Sequence, residues 1–424
     1  ADNITGLLGE TSLEKYFKDS VSTLNKGFLI HVGIDGFKMI NENYGWDYGD
    51  YILRETASCI LSCISDSQKV YKIASDEFII LDTTSSDMTT ASNLYDHICK
   101  HINQFIEENN FAAVFTISAG ILPLPDLSQT GYEEIIKRTD FSLTVAKQHG
   151  RNCCYIFQEE EYQNFLRIRE ITNELHSAVN HDFRGFSIIF QPVMDIQQDK
   201  LIGAEVLIRF ASKKFGQISP AEFIPLLETS GLIIPTGRWF MRKAITTCRK
   251  IRMQIPDFKV NINVSQVQIT KSDIITDLIS EMDASGLPPA AIVIELTESI
   301  LLEKNEKAQN FLKELKQAGL QLALDDFGTG YSNFHYLSEL HPDIVKIDRG
   351  FTSKAITDKK EYYLLNQFSN MIHNLDLKLC IEGIETEDEL QKMKLLKPDY
   401  CQGFYWGRPC PYDEFRKHFV DVDR

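Results

Sequence analysis

The sequence predicts an α+β domain followed by an α/β barrel of the (β/α)8 type, and three observations lead there. Residues 1–158 mix strands and helices in an order suited to an antiparallel-rich sheet with helices packed on it. From about residue 170 to 424, strand-like runs alternate with helical stretches over the ~250 residues that such a barrel needs. Polar residues in these runs fall at or near their ends, where a barrel gathers its loops.

At 424 residues the chain exceeds one ordinary core, so two domains are expected. Its 60 acidic and 44 basic residues give a net charge of −16, which argues against an electrostatic surface for a nucleic-acid polymer or a membrane. A polyanionic substrate would need metals or local arginines. No apolar run approaches the ~20 residues that span a bilayer, so membrane insertion of this chain is not expected. Nine cysteines without paired spacing read as reduced core thiols of a cytoplasmic protein. The start at Ala1 leads us to expect a longer protein in which a sensor or membrane segment comes first.

In the first domain, helices are expected near 12–24, 48–64, 93–106 and 132–147, and strands at 28–34, 70–73, 78–81, 113–119 and 154–157. Residues 159–180 carry apolar positions at three- and four-residue spacing, including Tyr162, Ile168, Ile171 and Leu175, and lack the glycine or proline of a floppy tether. They predict a connecting helix that also serves as the first packing helix of the second domain, placed at 181–424.

The second domain offers seven strand-like runs: KLIGAEVLIRF, FKVNINVS, AIVIELTES, LQLALDDF, IVKID, KLCIEGIE and YCQGF. Its focus is LQLALDDFGTG at 320–330, an apolar run ending in Asp325 and Asp326. Adjacent acids at a buried strand tip repel and resist desolvation unless a cation shares them. Glu205, Asn263, Glu295, Lys346, Glu382 and Gln402 fall in or at the end of separate runs, and a barrel would converge all of them on one face. Oxygen donors without His or Cys suit Mg2+ or Mn2+, and several acids split between two ions suit phosphodiester hydrolysis. Taken singly these residues have plainer readings, Glu295 and Glu298 starting a helix or Glu205 pairing with Arg209. Only their conjunction points to a site.

Two family resemblances follow. VYKIASDEF from Val70, IDGFKMINENYGWDYGD from Ile34 and KQHGRN from Lys147 resemble the GGDEF diguanylate cyclase family. Its paired turn glycines are Ala74 and Ser75 here, and one of its two metal carboxylates is Gly33, the other being Asp76. The resemblance therefore implies a degenerate cyclase domain, with GTP as an effector contacted through Lys38, Asn41, Asp50, Asp76, Lys147 and Arg151. The family's RxxD inhibitory motif is absent from SDSQ at Ser65.

EVLIR at Glu205, NVS at Asn263, ELTE at Glu295, DDFGTG at Asp325, KID at Lys346, EGIE at Glu382 and QGF at Gln402 resemble the EAL family of cyclic di-GMP phosphodiesterases. That resemblance implies cleavage of cyclic di-GMP to linear pGpG with two Mg2+ or Mn2+ ions. Glu205, Asn263, Glu295 and Asp325 would hold one ion, and Asp325, Asp326 and Glu382 the other. Lys346 would orient the attacking water, Gln402 would support it, and Glu298 would steady the loop after Asp325. Gln191, Leu207 and Arg209 would grip the substrate, and a homodimer coupled through that loop is expected. Val206 replaces the central alanine of the family signature, and FYWG at Phe404 departs from the usual stretch. A non-catalytic cyclic di-GMP receptor and a bifunctional cyclase and phosphodiesterase are the alternatives. The full ligand set opposes the first; Gly33, Ala74 and Ser75 oppose the second.

Overall fold

The structure, a computed structural model, describes residues 1–20, 26–109, 113–124, 130–297, 306–327, 337 and 340–422. It divides into two compact units, Ala1–Ile168 and Arg169–Arg424.

In the first unit, strands β1 (Leu8–Gly9), β2 (Phe28–Ile34), β3 (Gln68–Ala74), β4 (Glu77–Asp82), β5 (Ile117–Pro123) and β6 (Cys154–Ile156) form one sheet in the order β1-β3-β4-β2-β5-β6. β2 pairs antiparallel with β4 and β5, while β5 and β6 are parallel. Every residue of β2 is buried, as its position at the centre of a sheet covered on both faces requires. Ile30, Val32, Phe78 and Ile80 point into one core, with Ile52, Ile60, Leu94 and Ile98 of the helices Trp46–Cys63 and Met88–Glu108. Leu29, Ile79 and Leu81 point into the other, with Leu13 and Phe141.

Besides the short, unexpected strand β1, two details depart from the expected elements. A helix over Phe37–Tyr44 precedes Trp46–Cys63, separated from it by Gly45 at φ 88°. The strand expected at 113–119 lies instead at Ile117–Pro123 and runs through Gly120. A Cβ at Gly120 would come within 2.4 Å of the Leu143 backbone, so this glycine does not end the strand; it lets the helix Tyr132–Gln148 press onto the sheet.

The helix Glu159–Asn180 spans the boundary between the units. Within the first, Tyr162 packs against Phe141 and Phe157, and Arg138 lies over Phe157 and Tyr162 while pairing with Glu159 at 2.6 Å. Within the second, Ile171, Leu175 and Ala178 bury against Phe186, Phe210 and Phe223.

The second unit is a closed eight-stranded barrel. Its strands are β7 (Phe186–Asp195), β8 (Lys200–Ser212), β10 (Lys259–Asn263), β11 (Ile292–Thr297), β12 (Gln321–Phe327), β13 (Ile344–Ile347), β14 (Lys378–Ile381) and β15 (Tyr400–Cys401), with the short β9 (Gly216–Ile218) appended to β8. Pairing of β10 with β8 closes the ring. The run from β10 to β15 is parallel, but β7 is antiparallel to both β8 and β15. This strand is absent from the seven expected runs, and Pro192 within it explains why: proline removes a ladder donor and demotes a run as a strand. Wholly buried Val260, Ile262, Ile292, Ile294 and Leu322 join the surrounding helices in one core, each worth ~1.5–3 kcal/mol on burial.

Candidate active site

The carboxyl ends of the barrel strands bring the predicted polar residues together. Lys346 on β13 is 1% exposed, and four carboxylates from four different strands or strand ends surround its ammonium. Glu382 Oε1 lies 2.7 Å away, Glu295 Oε1 2.9 Å, Asp325 Oδ1 3.2 Å and Glu205 Oε2 3.4 Å. Asn263 donates to Glu205 Oε1 at 2.8 Å and Gln402 donates to Glu205 Oε2 at 2.7 Å. Glu205, Glu295 and Asp325 offer oxygens within 4.8 Å of one another.

Asp326, the next residue, is exposed to solvent beside this group and sits at a backbone irregularity. A regular strand turns adjacent side chains to opposite faces. Here the β12–β13 register shifts between Leu324 and Phe327, and Asp326 takes φ 54°. Such a bulge re-aims a side chain beside a site. The Asp326 carboxyl is pushed up by burial and then by the charge of Asp325, which places both acids in one field.

The electrostatics show a site short of positive charge. Burial, then the charge of Glu205, holds the Glu295 carboxyl well above the usual range. Burial raises Glu382 to about 7, with Lys346 opposing and Asp325 and Glu205 adding to the rise. Burial also pushes Glu205 up, but the charge of Lys346 and the hydrogen bonds from Gln402 and Asn263 outweigh it and hold this carboxyl below its ordinary value. Lys346 titrates well above the ordinary lysine range, because the four carboxylates overcome its desolvation. Among the described residues, Glu295 Oε2 and Gln402 Oε1 are buried oxygens with no hydrogen-bond partner. Such groups are rare and call for a missing ion or water. An all-oxygen donor set with two orphaned acceptors fits a hard divalent cation.

Beside the cluster, a cleft of about 200 Å³ is lined by Gln191, Glu205, Glu382, Gln402, Arg349 and Phe404. Gln191 stands opposite Glu205 in the β7–β8 register. A larger, mostly apolar pocket of about 560 Å³ is lined by Leu207, Arg209, Asn263, Glu228 and Phe240 among others. Arg209 is half-buried there, its Nη1 donating to the Ile208 carbonyl at 2.8 Å. Val206 is buried beside Phe190 and Phe240, and Trp406 packs against the core cluster of Val345 and Leu379. Glu298 and the loop 328–336 lie outside the described residues.

Three residues of this site are not among those expected from sequence. Asn261 donates to Glu295 Oε1 at 2.7 Å. Asn261 lies two residues before Asn263 on one strand and shares its face, but the spacing alone does not separate it from a core position. Arg349, which pairs with Glu385 at 2.5 Å, directly follows the KID motif, and Phe404 is the last residue of QGF.

In the first unit, Lys147 occupies the space that Gly33 leaves: a Cβ at Gly33 would meet Lys147 Nζ at 3.0 Å. Lys147 pairs with Glu77 at 3.4 Å, and buried His31 contacts Glu77 through Nε2 at 3.1 Å. Asp35, on the same strand face as Gly33, accepts from Thr116, Ser118 and the Asn152 backbone and is thereby committed to local structure. Asp76 lies in the β3–β4 turn, accepting from Ser75 at 2.8 Å. Asn41 Oδ1 is buried against Gly49 without a partner among the described residues, and Asp50 is half-buried. Lys38 and Arg151 are exposed, Lys38 lying 3.8 Å from Glu42.

Known proteins agree with this architecture. A family profile described as EAL domain matches residues 172–409, and one described as diguanylate cyclase, GGDEF domain, matches residues 1–153. MucR of Pseudomonas aeruginosa, named a bifunctional diguanylate cyclase/cyclic di-GMP phosphodiesterase, is 28% identical over 421 residues, covering 97% of this chain and 60% of that protein. PdeR of Escherichia coli, named a cyclic di-GMP phosphodiesterase, is 27% identical over 420 residues, covering 99% of this chain and 63% of that protein. The chain spans about half to three-fifths of the length of the first of these curated relatives. The solved PaMucR phosphodiesterase, in a c-di-GMP complex, is 29% identical with a TM-score of 0.55, covering 58% of this chain and 99% of that one. Since the EAL profile spans more than half of the sequence, and the barrel beneath it gathers the acidic strand ends, the chain belongs to the EAL domain family, with a GGDEF domain in tandem ahead of the barrel.

Proposed function

We propose that the barrel hydrolyses cyclic di-GMP to linear pGpG, with Glu205, Asn263, Glu295, Asp325, Asp326 and Glu382 holding two Mg2+ or Mn2+ ions. The observation that carries this reading is the gathering of four carboxylates from separate strands around one buried lysine, with Glu295 Oε2 left unpartnered among the described residues. When bound, such ions polarise the phosphoryl oxygens and lower the pKa of water for in-line attack.

The protein's own residues supply position and charge. Gln402 and Asn263 fix the Glu205 carboxylate from two sides, so it presents a set geometry without reorganising. The Lys346 ammonium has three protons and four carboxylate oxygens in reach, so it has no spare donor while all four hold it. It can direct a water only when some of these carboxylates turn to other cations. Arg209, Leu207 and Gln191 line the two hollows flanking the cluster and suit the phosphates and bases of a dinucleotide. Incubation of the purified protein with cyclic di-GMP, followed by separation of products, tests the reading. Turnover is expected with Mg2+ or Mn2+, inhibition with Ca2+, whose looser shell misplaces the reacting atoms, and none in excess chelator. Substantial turnover in chelator would contradict it.

We further infer that the first domain makes no cyclic di-GMP. Lys147 brings a positive charge to the space beside Gly33 where a cyclase would need a metal carboxylate, and Asp35 is occupied elsewhere. GTP binding depends on a different set, Lys38, Asn41, Asp50, Asp76, Lys147 and Arg151, so it can outlast catalysis and serve regulation, provided GTP favours one of two states. Incubation with GTP should yield no cyclic product, while calorimetric titration should give binding that is lost in Asp50→Ala. Cyclic di-GMP synthesis would overturn the first claim and absence of GTP binding the second. A two-fold dimer completes the proposal, and a fully active monomer by light scattering would contradict it.

A further inference from the structure

The first unit carries a second set of donors whose chemistry differs from that of the barrel, and it has no part in the function proposed above. Cys63 closes the helix Trp46–Cys63, while His97 and His101 lie one turn apart on the helix Met88–Glu108. The two helices lie on one face of the sheet, their inner sides buried through Ile52, Leu53, Ile60, Leu94, Ile98 and Ile102. Cys63, His97 and His101 each offer one ligand atom, and these three atoms lie within 4.8 Å of one another. The His97 and His101 rings meet edge to face at 4.8 Å between centroids. Ser62 Oγ donates to the Cys59 carbonyl at 2.8 Å and lies 3.4 Å from His101 Nδ1 and 3.9 Å from Cys63 Sγ, beside both donors.

We propose that Cys63, His97 and His101 form a binding site for a borderline-soft divalent cation, Zn2+ foremost, that staples the two helices of the first domain. One thiolate and two imidazoles select zinc over the magnesium or manganese suited to the all-oxygen barrel site. Zn–S of about 2.3 Å and Zn–N of about 2.0 Å place tetrahedral donors roughly 3.5 Å apart. The ligand atoms therefore have to close by about an ångström, which rotation of the exposed His97 side chain and half-buried His101 can supply. Binding converts the Cys63 thiol to a thiolate, so one proton leaves for each ion bound. Partial burial favours the neutral thiol in the absence of a cation.

The test uses the full chain with excess Mg2+ to occupy the barrel carboxylates, and Co2+ as a spectroscopic stand-in for Zn2+. One equivalent of Co2+ should give a thiolate-to-cobalt charge-transfer band with the d–d pattern of a low-coordinate site, and Zn2+ should displace it. Cys63→Ser should abolish the band. His97→Ala, a change at an exposed position that leaves the helix intact, should weaken Co2+ and Zn2+ binding at least as much as the ~10-fold cost of losing an outer partner. Zn2+ should also raise the thermal midpoint of the wild-type first domain and leave that of His97→Ala nearly unchanged. A band that persists in Cys63→Ser, equal Zn2+ affinity in wild type and His97→Ala, or no thiolate band at micromolar Co2+ would each overturn the proposal. If Cys63→Ser does not fold, the His97→Ala comparison decides it alone.

Discussion

Glu205→Gln is expected to lower the rate of cyclic di-GMP hydrolysis at least ~10²-fold in Mg2+ or Mn2+ while leaving the barrel folded. The substitution keeps the shape of the side chain, but the hydrogen-bond pattern around it does not tolerate the change. Both Glu205 oxygens accept, one from Asn263 and the other from Gln402 and Lys346. A glutamine presents an NH2 group to one of these donors and loses the charge that draws a cation. The same logic applies to Asp326→Asn, where a carboxylate set by a bulge and a left-handed backbone is replaced by a neutral amide. Asparagine tolerates that backbone as well as aspartate does, so the loss reads charge and not strain. Steady-state rates and calorimetric Mg2+ titrations on both variants check the prediction. Near-normal rates in both would place the cation elsewhere.

Much of this site was legible in the sequence because barrel topology converts scattered positions into neighbours. Glu205, Asn263, Glu295, Asp325, Lys346, Glu382 and Gln402 are far apart along the chain, yet all except Glu205, which lies midway along β8, end a strand or lie near its end, and closure of β10 on β8 brings them together. Three things were not legible. The direction of β7 depends on which neighbours it finds, and Pro192 masks it as a strand at all. Asn261 reads as a core position until its partner, Glu295 Oε1, is placed on the neighbouring strand. The position of β5 was misjudged because Gly120 serves a helix contact that has no local signature. In the first unit, Gly33 was visible as a departure from the cyclase-like pattern, but the presence of Lys147 beside it was not, since the two are joined only by the packing of a helix on the sheet.

Lys346→Met should destabilise the metal-free barrel by ~3–5 kcal/mol, the cost of stripping the partner from buried charge. The expected size follows from what Lys346 holds. Its ammonium lies within 3.4 Å of oxygens from Glu205, Glu295, Asp325 and Glu382, and it is itself buried. A methionine fills similar volume but leaves four acids to repel one another at low dielectric, so protons or cations must neutralise them instead. Mg2+ at saturation should restore part of the loss, because a ligand that binds only the folded state stabilises it by mass action. The wild type provides the pH control. Glu382 has its carboxyl raised by burial from 4.5 to about 7, so it contributes stability that is full below 4.5 and is lost as pH rises through about 7. The metal-free wild type should therefore weaken across that window, and the variant should weaken more steeply, having lost the Lys346 charge that opposes the rise. Urea unfolding in chelator and in Mg2+ checks this. Tryptophan fluorescence will report mainly the barrel, since Trp239 and Trp406 are partly buried there while Trp46 of the first unit is 77% exposed. A variant as stable as wild type in chelator, and indifferent to Mg2+, would show that these carboxylates are neutralised by something other than Lys346.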